Sequence, residues 1–106
     1  MKIEEGGTVK TFFDGVFMNK EKLKEEGFEY PIKLEYYKTS VEEENVETKY
    51  GIEVIKTEYL DGNMNIETKE LKNVTNNLAE ENRILTILKN NEVTPIGLED
   101  VIKEIL

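Results

Sequence analysis

The apolar residues of this 106-residue chain change their period once. Ile32, Leu34 and Tyr36 alternate with Lys33, Glu35 and Tyr37, and Tyr50, Ile52 and Val54 repeat that spacing. From Leu78 onward the spacing becomes three or four: Leu78, Ile84, Leu85, Ile87 and Leu88, then Leu98, Val101, Ile102 and Ile105. Side chains alternate across a strand and return to one side of a helix every 3.6 residues. Strands therefore come first and helices last. The expected fold is α+β: an antiparallel β-meander of three or more strands, with two C-terminal helices packed on one face.

Turn and cap chemistry divides the chain into three parts within a single domain, 1–106. Residues 1–31 read as a hairpin and a short helix. Thr8 to Phe13 is β-prone, Asp14-Gly15 is a two-residue hairpin signal, and Val16 to Met18 returns as a second strand. Asn19 is placed to cap a helix from Lys20 to Glu26, ended by Gly27. Phe12, Phe13, Phe17 and Phe28 are all the phenylalanines of the chain, so this segment is expected to pack on the rest.

Residues 32–72 form the meander. Glu42-Glu43-Glu44-Asn45 reads as a solvated connection and Asp61-Gly62-Asn63 as a tight turn, after which Met64, Ile66 and Thr68 continue on the next strand. Ile55 and Tyr59 break the parity of Ile52 and Val54, which calls for a bulge near Val54-Ile55 or burial on both faces. Residues 75–106 hold the two helices. Asn76 or Asn77 caps the first, with Glu80 as the reciprocal partner of Asn77, and Asn90-Asn91 suits its end. Thr94 caps the second, with Pro95 at its first position.

Composition removes much chemistry. Without cysteine there is no disulfide, thiolate nucleophile or cysteine zinc site. Without histidine the commonest general base and transition-metal ligand are gone. Asp61-x-Asn63-x-Asn65 begins like a calcium loop, but Ile66 stands where the glycine belongs and Lys72 where the bidentate glutamate belongs. Glu42, Glu43 and Glu44 lack anything to set cation geometry, and Ser40 lacks a histidine to activate it. No catalytic, cofactor-binding or metal-binding residue is assigned, and no cofactor is expected.

Fourteen basic and 23 acidic side chains give a net charge of −9. Direct contact with nucleic acid or anionic lipid needs a basic face, so neither is expected. With no apolar run near the start or of membrane-spanning length, a cytoplasmic location is expected. What remains is a small non-enzymatic protein-binding or regulatory module, with a basic protein as the candidate partner. Tyr37, Tyr50 and Tyr59 are the candidate contact residues, because an outward Tyr37 beside either of the others forms an aromatic patch. The alternatives are a homo-oligomer, for instance a homodimer, with the last helix at the interface; an acidic mimic of nucleic acid; and, last, carboxylate-based catalysis.

Tyr50-Gly51-Ile52-Glu53-Val54-Ile55-Lys56, followed by Val93-Thr94-Pro95-Ile96-Gly97-Leu98-Glu99-Asp100-Val101-Ile102, resembles the strand and closing segment of a family of small clostridial proteins of unknown function. The resemblance runs over about residues 32–106, with Gly97 departing from the family's pattern. It implies a low-GC Firmicute source, in keeping with a chain rich in Lys, Glu, Asn and Ile that has one Arg, one Ala and no Gln. It implies no activity and assigns no functional residue.

Overall fold

A computed structural model of the chain describes residues 8–18, 30–42 and 47–106. Four strands, β1 (Thr8–Met18), β2 (Ile32–Val41), β3 (Lys49–Leu60) and β4 (Asn63–Thr75), form one antiparallel sheet in sequence order. Helix α1 (Leu78–Asn90), a 3₁₀ turn (Pro95–Gly97) and helix α2 (Leu98–Ile105) follow. The meander with two C-terminal helices is the architecture that the change of period predicts.

The alternation in β2 sorts its side chains as expected: Ile32, Leu34 and Tyr36 are buried with Ile52 and Val54 of β3 beneath Ile84, Leu85 and Leu88 of α1 and Leu98 and Ile102 of α2. Leu71 and Val74 extend this core onto β4. Ile102 belongs to the core and Val101 and Ile105 pack against it, so the apolar stripe of α2 is packed within the chain. The Tyr36 hydroxyl donates to the Val93 carbonyl at 2.8 Å, tying the turn after α1 down to the sheet. Burial pushes that hydroxyl above the usual tyrosine range.

The hairpin expected at Asp14-Gly15 does not form. Residues 8–18 are one strand, paired with β2 from Thr8↔Val41 to Met18↔Ile32, with the register slipping between Phe12 and Asp14. Asp14 Oδ1 accepts from the Gly15 amide at 2.8 Å, and the two residues pair with Tyr36 and Glu35 inside the strand. The slip resets the parity: Phe13 and Val16 both pack against the core, while Phe12 and Phe17 both point away from it. Pairing with ten residues of β2 outweighs a two-residue turn preference. The expected helix Lys20–Glu26 with its cap Asn19 and stop Gly27, together with Phe28, lies outside the described residues.

The bulge expected at Val54-Ile55 is absent, because β2 and β3 pair without interruption from Ile32↔Glu58 to Val41↔Lys49. The alternative reading holds: Val54 is fully buried in the core and Ile55 half-buried on the opposite face. The irregularity falls instead where Tyr50↔Thr75 gives way to Ile52↔Leu71, with Asn73 at φ 56° in the extra loop of β4. Gly51 makes that loop possible. A Cβ there would lie 2.4 Å from the Leu71 carbonyl oxygen and 2.6 Å from Thr39 Oγ1. Asp61-Gly62 is the tight turn between β3 and β4, with Gly62 at φ 73°.

Asn77 caps α1, its side chain accepting from the Glu80 amide at 3.0 Å. The second cap fails: Thr94 makes no side-chain bond to the helix. Its carbonyl instead accepts from Gly97, closing the 3₁₀ turn ahead of α2, so the chain re-aims before the last helix begins. The stripe on α1 is also rotated from the expected one. Leu78 is 47% exposed, and Glu81 takes the buried position that completes the 81-84-85-88 spacing.

Candidate functional site

The helices cover one face of the sheet. On the other face lie the odd-numbered residues of β2 and β3 with their partners on β1 and β4. Phe12 sits across from Tyr37, their rings edge to face with centroids 5.5 Å apart. The Lys10 ammonium lies 4.5 Å from the centre of the Tyr37 ring and pairs with Glu53. Further along, the rings of Phe17 and Tyr59 are 6.2 Å apart. Met64 and Ile66 extend this second cluster onto β4, opposite Tyr59 and Thr57. Phe12, Phe17, Met64 and Ile66 are 54%, 61%, 58% and 57% exposed.

A polar line along β2 joins the two clusters. Lys33 approaches Glu35 at 3.6 Å, and Glu35 Oε2 accepts from the Tyr37 hydroxyl at 2.9 Å. Partial burial, and then this bond to a carboxylate, push the Tyr37 hydroxyl upward. The Tyr59 hydroxyl and then the Glu35 carboxylate hold Lys33 in its charged form. Among its register-paired residues the face carries Lys10, Lys33 and Lys49 against Glu35, Glu53 and Glu70, so these charges balance. The acidic surplus of the described residues lies elsewhere.

The three candidate tyrosines do not assemble. Tyr37 and Tyr59 share the outer face but stand six residues apart along the strand direction, since Tyr37 pairs with Glu53. Tyr50 is on the helix-covered face, half-buried at its edge. The partners of Tyr37 and Tyr59 are phenylalanines of β1, which sequence reasoning assigned to a hairpin. An odd parity running through Phe17, Tyr37, Ile55 and Tyr59 was the available signal, hidden by the slip in β1.

Glu81 is the residue that the sequence reading missed. It is 1% exposed and lines a cavity of about 120 Å³ with Lys38, Ser40, Glu42, Tyr50 and Leu78 among its walls. Its Oε2 has no hydrogen-bond partner among the described residues. Burial pushes its carboxyl up to about 7, against the opposing pull of Lys38. Glu42, the other carboxylate in the lining, is exposed, so the cavity does not hold two fixed acids of the kind that acid–base catalysis uses. A larger cleft, about 420 Å³, lies between β4 and the 3₁₀ turn, where Lys69 and Glu99 approach to 3.9 Å. No group of three or more potential metal-ligating residues occurs among the described residues, and no helix among them is long and apolar enough to cross a membrane.

The sequence model of a family of unknown function matches residues 15–106. The chain belongs to that family, DUF6514. The match takes in β2, β3, β4 and both helices, and reaches further toward the N-terminus than the stretch 32–106 that the two motifs mark. In this DUF6514 chain the glycine of the first motif is the residue that admits the β4 loop, and the second motif is the 3₁₀ turn and the start of α2. No curated protein and no solved structure gives a significant match.

Proposed function

We propose that this DUF6514 protein is a non-enzymatic, cytoplasmic protein-binding or regulatory module that engages its partner through the outer face of the sheet. One observation carries the reading: exposed aromatic and aliphatic side chains from the two edge strands, Phe12 and Phe17 of β1 and Met64 and Ile66 of β4, lie on a face that the helices leave open. Paired aromatics with ordered polar neighbours are the kind of anchor that binding hot spots use, and the ordering of Tyr37 by Lys10 and Glu35 lowers the entropic cost of contact. The lack of histidine and cysteine supports the non-enzymatic part of the reading. The bias toward Lys, Glu, Asn and Ile supports a low-GC Firmicute source.

The test is retention of a partner from a native lysate by the tagged protein and by a Tyr37→Ala variant. The expected result is a protein retained by the parent chain and lost by the variant, with the melting temperature unchanged within a few degrees. Equal retention by both would remove Tyr37 and its face from the interaction.

A further inference from the structure

We infer that the outer face of the sheet is a self-association surface, whose occupant is the same face of a second copy of this chain. The inference rests on the reading of that face as a binding surface and names its partner.

Charge decides the partner. Two copies with a net charge of −9 each repel at long range, so they associate only through surfaces that add no like charge at close quarters. The outer face meets that condition, with three ammonium groups against three carboxylates among its register-paired residues, and with Lys10–Glu53 and Lys33–Glu35 already paired on it. A strongly basic partner finds no surplus of acid there to recognise. A second copy finds an apolar counterpart whose paired charges balance, and the acidic surplus of the described residues stays off the contact, where solvent and salt screen it.

Size and shape agree. Four strands about 4.8 Å apart, with roughly ten residues of about 3.3 Å each, give the face roughly 600 Å² of projected area. The standard interface takes roughly 800 Å² of accessible surface from each partner, a value that a corrugated face of this extent approaches. Two such faces stack as sheets do in a β-sandwich, about 10 Å apart, around a two-fold axis. The aromatic clusters at Phe12–Tyr37 and Phe17–Tyr59 then supply the interdigitating layer.

The experiment is sedimentation of the full chain over roughly 5 to 500 µM, for the parent and for Phe12→Glu and Phe17→Glu. Both residues are more than half exposed, so both variants are expected to fold, and circular dichroism checks this. The expected result is a monomer–dimer equilibrium in the parent, weakened at least ~10-fold in each variant. A parent that stays monomeric throughout overturns the inference. So does a dimer that neither substitution affects. Hydroxyl-radical labelling of Phe12, Phe17 and Met64 adds an independent readout: protection that grows with concentration supports the second copy, and protection that is constant with concentration places another part of the same chain on the face and overturns it. Failure of the broader reading looks different. A monomer whose cellular partner is lost on Tyr37→Ala keeps the face as a binding surface for another protein, whereas substitutions that alter neither association nor retention remove the face from both.

Discussion

The two faces of this sheet are built from the same strands and teach opposite lessons about apolar residues. On the helix side, Leu34, Tyr36, Ile52 and Val54 are fully buried and pack against Ile84, Leu85, Leu88 and Leu98. On the outer side, Phe12, Phe17, Met64 and Ile66 stay more than half exposed. The first set stabilises the fold through burial; the second contributes little to it, and its side chains remain available for contact with another molecule. The face that a side chain occupies, rather than its hydrophobicity, separates a residue of the core from a residue of the candidate interface.

The largest effect that sharpens this contrast is expected on the helix side. Ile84→Ala empties a fully buried position between helix and sheet and should cost about 2–5 kcal/mol in denaturant unfolding. A loss below about 1 kcal/mol would mean that α1 is not packed as described. Next comes the one buried charged residue on that side among the described residues. In the folded chain Glu81 keeps its proton up to about pH 7, whereas the unfolded chain releases it near 4.5. The folded form therefore holds its full stability below pH 4.5 and loses it as the pH rises through 7. Glu81→Gln should change stability little at pH 4.5 and add about 1–3 kcal/mol at pH 8. Unfolding curves across that range check it, and a pH-independent difference would place Glu81 in water. The smallest effect belongs to the outer face: Ile66→Thr should change stability by no more than about 0.5 kcal/mol at low protein concentration. A loss of 2 kcal/mol or more would erase the distinction between the faces.

Where local rules agreed with long-range pairing, the sequence was readable. The alternation of Ile32, Leu34 and Tyr36, the Asp61-Gly62 turn and the Asn77 cap are each decided within a few residues, and each appears where expected. Two local signals were outcompeted. Asp14-Gly15 and Thr94-Pro95 have the chemistry of a hairpin turn and a helix cap, yet the first lies inside a continuous strand and the second opens a 3₁₀ turn. Glu81 was missed because a charge on a helix is expected to face water, although its spacing from Ile84, Leu85 and Leu88 puts it on the buried stripe. The candidate site was half legible: Tyr37 and Tyr59 do lie on the outer face, but Tyr50 does not, and the phenylalanines that complete each pair could not be placed.

The sequence by itself determined the order and type of most elements, the absence of histidine and cysteine chemistry, and the acidic balance, because these depend on composition or on neighbours a few positions away. Tertiary structure decided which sheet face the helices cover, that β1 slips by one residue to send Phe13 inward and Phe12 and Phe17 outward, and that Glu81 is closed off from water. Those outcomes depend on register across strands and on helix docking, where residues distant in sequence compete for the same space, and a single-residue slip in register exchanges the inside for the outside.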